Sequence, residues 1–537
     1  MPTTHASHAS GRAGKPGLIM LAALLGLFIA LLDVTVVTVA LPTISTDLHA
    51  SFSDLEWVAN AYMLALAVFI VTAGRLGDLY GQRRVYTAGV SVFLIGSLAC
   101  GSAAKFSVFG WSHIAVLHAA RVVQGIGGAA ILPLSLAIIY SSFEGKKRAV
   151  GLMLWGAIGG LATALGPLIG GFLVEKAGWE WIFLVNLPIG AVVLVAAMAG
   201  MRAHDRSARG RRTSLDLPGL VTVSAALLCL NLALVNGSNW GWTSGKDLGL
   251  FVAAVALTGL FLVVEARSTA PIMNLSWFRR PSFGGSVLTG FLLGAGMFAA
   301  LFYLSIYLQN GLGLTAMQTG VRLLPLTLML IVGAPLGGRL VARFGVRTAL
   351  SAALAVMAVG LALFTLIDPH GGSGSWTRLL PGMLVTGLTL GMVMPISSEL
   401  TVAAAPQDQV GVAASAGTMF RQVGNAMGIA LMGALMTAQA TSAHKAAAHL
   451  AQKGALTPQV METLQRTAVA HGTQHGAWYA AAVTLAGAVC VLVFVRDLKP
   501  AAVPSQAPAA TYDAPAAPYD AASAPAADSR GTNRPVG

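Results

Sequence analysis

The chain carries fourteen apolar runs, each long enough to cross a bilayer as a helix. They lie at about 17–41, 56–74, 84–104, 112–140, 149–173, 181–201, 216–235, 247–265, 283–308, 317–340, 348–367, 378–399, 409–437 and 477–495. A spanning helix needs about 20 apolar residues, because about 30 Å of hydrocarbon is crossed at about 1.5 Å per residue. In hydrocarbon the backbone N–H and C=O groups must be satisfied within the segment, so runs of this length have the helix as their form. Composition agrees: 56% of the 537 residues are hydrophobic and 10% charged, where a soluble chain is roughly one quarter charged. An ordinary soluble enzyme of this length is excluded, and the expected class is an all-α polytopic membrane protein. The first run could pass for a signal peptide, but it is longer than an h-region and further spans follow, so it reads as the first helix.

The net charge of +13 could suggest nucleic acid. Membrane proteins gather Lys and Arg in cytoplasmic loops, which accounts for the balance without such a partner. With the N-terminus inside, the inner loops hold Arg75, Arg83, Arg84, Lys146, Lys147, Arg148, the arginines of 202–212, Arg267, Arg279, Arg280, Arg339, Arg343 and Arg347. The tails add Arg12, Lys15, Arg496, Lys499, Arg530 and Arg534, while the outer loops hold only Lys105, Lys176, Lys246, Arg378, Lys445, Lys453 and Arg466. This asymmetry places both termini in the cytoplasm of a multi-pass cell-membrane protein, with the lipid bilayer and not nucleic acid as its surroundings. Cys100, Cys229 and Cys490 lie in apolar runs without metal or disulfide spacing. His444, His449, His471 and His475 are too irregularly spaced to predict a metal site, and no cofactor is expected.

The chain repeats itself. Gly74-Arg75-Leu76-Gly77-Asp78-Leu79-Tyr80-Gly81-Gln82-Arg83 ends the second span, and Gly338-Arg339-Leu340-Val341-Ala342-Arg343-Phe344-Gly345-Val346-Arg347 ends the tenth, 264 residues later. Gly125 and Pro133 recur as Gly387 and Pro395, 262 residues later. Two matches at nearly one offset predict two similar six-helix halves, a transporter plan with its substrate site near the midplane between them. The expected organisation is a disordered cytoplasmic tail at 1–16, a first bundle at 17–201, and linkers with two extra helices at 202–282. A second bundle follows at 283–496, with an outside loop at 439–475, and the chain ends in a disordered Ala/Pro-rich cytoplasmic tail at 497–537.

Asp33 lies inside the first span. A charged side chain at a helix centre costs roughly 2.5–3.5 kcal/mol on insertion scales, so it needs a reason. A carboxyl among apolar helices can take a proton from one side and release it to the other as its surroundings change; a packing hydrogen bond is the alternative. Arg121 opens Arg121-Val122-Val123-Gln124-Gly125-Ile126-Gly127-Gly128 in the fourth span. By rise per residue it sits about 14 Å, and Asp33 about 12 Å, from the outer ends of their helices, so the two can interact. The glycine string is no nucleotide fingerprint, since no strand precedes it.

Further candidates follow from placement. Gly156 with Gly160, and Gly166 with Gly170, are spaced for close helix approach in the fifth span, and Pro167 weakens the ladder beside them. Gly166, Pro167, Gly170 and Gly171 are therefore candidates for a packing hinge. Asp78, beside Arg75, Arg83 and Arg84 and flanked by Gly74 and Gly81, reads as a cytoplasmic latch between helices; Ala342 stands in its place in the second copy. Trp57, Tyr62, Gln124, Trp155, Tyr303, Tyr307, Phe420 and Arg421 are candidates for a substrate cavity, as is Phe302, each with packing or interfacial anchoring as the alternative reading. Arg322 is expected to snorkel and Glu399 to lie at the inner interface.

Four segments together resemble the fourteen-helix drug:proton antiporter branch of the major facilitator superfamily: Asp33 through Pro42, the Gly74–Arg84 turn, Arg121 through Pro133, and Gly166-Pro167-Leu168-Ile169-Gly170-Gly171. The stretch Trp179 through Gly190 is similar as well. The resemblance runs from about Gly17 to Arg496. It implies two six-helix bundles with two additional central helices, and alternating access. It also implies proton-coupled export of hydrophobic, often cationic, drugs or natural products, with a proton-coupled importer of a metabolite as the alternative. It ties Asp33 and Arg121 to proton coupling, and the Gly74–Arg84 turn to conformational exchange. Thr38 stands where Asn is usual, Glu180 where Arg is, and Leu79 where Arg is common.

Overall fold

The computed structural model describes residues 15–50, 52–105, 110–201, 216–268, 271–368, 373–406, 409–453 and 457–495. The two expected tails, apart from the first residues of the opening helix, lie outside them, as do the arginines of 202–212. The described residues belong to one compact unit and are helical almost throughout. The first seven helices are α1 Pro16–Leu48, α2 Phe52–Tyr80, α3 Gln82–Ser102, α4 His113–Ser142, α5 Gly145–Ala177, α6 Trp181–Leu184 and α7 Asn186–Gly200. Two more, α8 Leu217–Trp240 and α9 Gly245–Arg267, precede α10 Pro281–Leu293, α11 Ala299–Ile306, α12 Ala316–Ala362, α13 Leu380–Ala403, α14 Val410–Gln452 and α15 Pro458–Phe494.

Local chemistry sets several starts. Pro16 and Pro458 occupy first turns, where a missing N–H costs nothing. The Ser112 hydroxyl accepts from the Ala115 N–H at the head of α4. Thr315 and Gln318 cap each other reciprocally at the head of α12.

Among the described residues, hydropathy alone marks twelve helices as long and apolar enough to span, and thirteen with α5, whose two parts bend by 43° on either side of residue 164. The bend falls one turn before Pro167, as expected where a proline removes a ladder bond. The apolar stretch Met317–Leu366 is 50 residues long, about 75 Å at helical rise and far more than one crossing needs. It is two arms meeting at Gly345, whose φ of 80° and ψ of 165° are not helical. Counting the arms separately gives the fourteen segments read from the sequence. Gly81, between α2 and α3, has φ 97° and stands 264 residues before Gly345. Both copies of the repeated motif therefore break the chain at the same glycine, in a region of φ that side chains rarely adopt.

Helices of each half pack on one another, and α5 on α12 and α2 on α14 join the halves. In the first, α1 lies against α5, α7 and α4, and α2 and α3 lie against α4; in the second, α12 packs on α13 and α15, and α14 on α10 and α15. The extra pair α8 and α9 pack on each other, and α8 also touches α2 and α14, one helix from each half. Val252, Val255, Leu260, Leu262 and Val263 of α9 are exposed, an apolar face fit for lipid and not for water.

The stretch 439–475, expected as an Ala-rich and partly helical outside loop, is helical in most of its described residues. α14 continues to Gln452 and α15 begins at Pro458, so the two form a helical hairpin. At 43 residues, α14 is about 65 Å long and outruns the hydrocarbon thickness by about twofold. Hydropathy falls beyond residue 438, but alanine, the strongest helix former, dominates there and keeps the helix going.

Candidate functional site

Asp33 and Arg121 meet. An Arg121 Nη1 N–H donates to Asp33 Oδ2 at 2.5 Å, and the two side chains are 0% and 1% exposed. Asp33 Oδ1 accepts from Gln124 Nε2 at 2.7 Å and from Asn186 Nδ2 at 3.3 Å. Gln124 and Asn186 both also donate to Ser97 Oγ, at 2.7 and 3.0 Å. Arg121 donates further to Gln124 Oε1 at 2.7 Å and, through Nε, to the Val58 carbonyl at 2.9 Å. Its guanidinium lies over the Tyr62 ring, 4.5 Å from the centroid, and 5.6 Å from that of Phe183, contacts favourable to a desolvated cation. One carboxylate, one guanidinium and three neutral polar side chains thus form a network sealed among α1, α2, α3, α4, α6 and α7.

The glycine string in α4 builds this network. A Cβ at Gly127 would fall 2.4 Å from the Phe93 nitrogen, one at Gly125 2.5 Å from the Tyr62 carbonyl oxygen, and one at Gly128 2.5 Å from the Tyr62 hydroxyl. Gly96 of α3 returns the fit, with 2.6 Å from its Cβ position to the Gln124 nitrogen. These glycines bring α2 and α3 against α4 closely enough for Ser97 and Tyr62 to reach their partners.

Asp78 bridges the halves. Its Oδ1 accepts from the Gly411 N–H and its Oδ2 from the Val412 N–H, both at 2.8 Å. These amides open α14, so the carboxylate caps a helix N-terminus and faces the positive end of its dipole. Gly74 lets the helices approach: its Cβ would lie 1.9 Å from Ser415 Oγ and 2.6 Å from the Gly411 carbonyl oxygen. Arg83, expected as part of the same latch, points elsewhere and donates to the Met198 carbonyl at 2.9 Å.

The two glycine pairs of α5 serve different contacts. Gly166 and Gly170 abut α1, with Cβ positions 1.9 Å from Thr35 Oγ1 and 2.8 Å from Val36 Cγ2. Gly156 and Gly160 abut the other half, at Pro395 and Leu330, and Gly171 looks toward the Met317 nitrogen at 3.7 Å.

A family model, Major Facilitator Superfamily, matches residues 23–429. The chain belongs to the major facilitator superfamily. It is 36% identical over 434 residues to the tetracenomycin C resistance and export protein of Streptomyces glaucescens, covering 80% of this chain and 78% of that one. It is 32% identical to the multidrug transporter protein MdtP of Bacillus subtilis, covering 80% and 77%. The methylenomycin A resistance protein of Streptomyces coelicolor is 35% identical, covering 82% and 90%. Among solved structures, the proton:xylose symporter XylE matches with a TM-score of 0.60 at 14% identity, covering 90% of this chain and 96% of that one; a likeness so distant in sequence shows the fold. Fold and family are those of a multi-pass membrane transporter.

The remaining candidates of this major facilitator protein do not converge on one cavity. Gln124 and Tyr62 belong to the Asp33 network, and the Tyr62 hydroxyl donates to the Ala30 carbonyl at 3.1 Å. Half-buried Trp57 precedes Val58, the acceptor for Arg121. Trp155 of α5 donates through Nε1 to Ser135 Oγ at 2.9 Å, and the Arg421 guanidinium of α14 lies 6.0 Å from its ring centroid. This pair faces across the seam between the halves. Tyr303 donates to the Ile429 carbonyl at 3.0 Å, and Tyr307 reaches the Asp368 carbonyl near the outer loops. Phe420 packs against Phe278, centroids 6.0 Å apart, and Phe302 is exposed. A cavity of about 480 Å³ opens at the hairpin, lined by Ile306, Asn310, Met436, Thr437, Leu464 and Gln465 among others. Ser97 and Asn186 were not among the candidates. Asn186 sits in the Trp179–Gly190 stretch, and an uncharged polar residue in a span carries little signal of its own.

Proposed function

We propose that the protein exports hydrophobic small molecules across the cell membrane in exchange for protons, by alternating access, with both termini cytoplasmic. One observation carries the coupling: a carboxylate with no exposure to solvent, ringed by donors from Arg121, Gln124 and Asn186. A proton reaches Asp33 only when α1 and α4 part enough to break the Arg121–Asp33 bond, with Arg121 still held by the Val58 carbonyl and Gln124, and the carboxyl then crosses neutral. The relatives with export and resistance names support the direction of transport. Trp155 and Arg421, facing each other across the seam, are the best-placed substrate contacts. The Asp78 clasp on α14 holds the cytoplasmic end shut, and its release opens that end.

Transport in inverted membrane vesicles tests the reading. Adding substrate to energised vesicles should release protons from the lumen in the native protein and not with Asp33→Asn, at equal expression. Proton flux unchanged by that substitution removes Asp33 from the coupling.

A further inference from the structure

At the foot of the extra helix pair lie two buried carboxylates that the mechanism above does not use. Asp216, 7% exposed, caps α8: its Oδ1 accepts from the Gly219 N–H at 2.9 Å. Glu265, 3% exposed and in the last turn of α9, accepts from the Met273 N–H through Oε1 at 2.6 Å. Each therefore commits one oxygen to the backbone. The second oxygen of each, Asp216 Oδ2 and Glu265 Oε2, is buried and has no hydrogen-bond partner among the described residues. Both converge on one point: each lies 3.0 Å from where a Cβ on Gly219 would stand, so they are no more than 6.0 Å apart. Capping explains why two acids are present and leaves their second oxygens unexplained.

Among the described residues, the charges that act on Glu265 are Asp216, from the head of α8, and Arg75, from α2; the segment after α9 contributes the backbone amides of Ile272 and Met273. Arg75 is itself 7% exposed, and its Nε lacks a partner among the described residues. Two carboxylates against one guanidinium leave one buried negative charge over. Two acids that share a site do not both stay ionised cheaply, and a single proton makes the trio neutral. A metal ion would need more oxygens than the pair offers and would be repelled by Arg75.

We propose that Asp216 and Glu265 form a second proton-binding site, holding one proton between their two free oxygens beside Arg75. A proton from water forms an O–H bond on one carboxyl, and the other carboxyl accepts it as a hydrogen bond. Arg75 lies one helical turn before Asp78, so the site joins the seating of α8 and α9 on the first half to the turn that clasps α14. The proposal stands apart from the export reading, since it requires no substrate and no transport.

Infrared difference spectra of the full-length protein in liposomes, recorded across a pH titration, test it. The Asp33→Asn protein should still show a titrating protonated-carboxyl C=O stretch that shifts in heavy water. Adding Glu265→Gln or Asp216→Asn should remove it, and both amides can still accept the capping N–H. A band that survives both substitutions overturns the proposal, as does the absence of any titrating carboxyl in the Asp33→Asn protein. The titration is repeated with sodium replaced by choline. Identical spectra are expected; a band that sodium displaces at constant pH would assign the site to a metal cation and sink the proton.

Discussion

The two copies of the repeated turn share a backbone and differ in their charge. Both break the chain at a glycine of positive φ, Gly81 and Gly345. Both place an arginine two residues later on the carbonyl of a neighbouring helix: Arg83 donates to Met198 in α7, and Arg347 to Leu492 in α15. Only the first has a carboxylate, Asp78, which reaches across to the head of α14; Ala342 cannot. The same asymmetry holds in the helix interiors. Arg121 of α4 falls, at the 262-residue offset, on Met383 of α13, which is fully buried. The shared parts build the fold twice, and the Asp33–Arg121 pair and the Asp78 clasp belong to the first half alone.

The largest predicted effect tests the charged interior. Arg121→Ala leaves Asp33 buried and unpaired, which costs about 3–5 kcal/mol. The melting temperature in detergent should fall markedly, and Asp33→Asn/Arg121→Gln should recover most of the loss. Its recovery would show that the burial of an unpaired charge, and not lost packing, sets the cost.

Next come the shared glycines. Gly81→Ala and Gly345→Ala each force a side chain into a region of φ that suits glycine, at a cost of about 1–3 kcal/mol. The two should lower thermal stability by similar amounts. A large loss at one and none at the other would show that the copies have diverged in backbone as well as in charge.

Asp78→Asn separates the copies. An amide can accept one of the two N–H bonds but carries no charge toward the α14 dipole, a loss of about 0.5–2 kcal/mol. That shifts the balance toward an open cytoplasmic end by up to roughly thirtyfold, since 1.4 kcal/mol is a factor of ten. In a background without the native cysteines, maleimide labelling of Ser415→Cys, which faces Gly74, should speed up accordingly. Labelling at an unchanged rate would mean that Asp78 does not hold this seam.

Much of this was legible because hydrocarbon imposes a strict rule: long apolar runs mark helices, and a charge inside one must have a partner. Helix rise alone put Asp33 and Arg121 at matching depths, and they do meet. The neutral members of the network were harder to see. Gln124, a candidate substrate contact by sequence, also holds Asp33, while Ser97 and Asn186, remote in sequence, are joined to it only by helix packing. The helix beyond Ala438 was legible only in part, from its alanines, since hydropathy reports the membrane and not the helix. A tyrosine in a span needs somewhere to place its hydroxyl, and Tyr62, Tyr303 and Tyr307 each use a backbone carbonyl, so an aromatic in a span has a packing reason to be there whether or not it meets substrate.

The smallest effect concerns the paired arginines. Met198 lies in the last turn of α7 and Leu492 in the last turn of α15, where carbonyls lack intrahelical donors. Arg83 and Arg347 each supply one, and a cation near a helix C-terminus also meets the negative end of the dipole. Both bonds are exposed, so Arg83→Gln and Arg347→Gln should each cost only about 0.5–1.5 kcal/mol and shift melting by nearly the same small amount. Efflux should stay within about twofold of the native rate in both, because neither arginine touches the opposite half through these contacts. A loss of efflux confined to Arg83→Gln, at unchanged melting temperature, would extend the functional asymmetry from Asp78 to its whole turn.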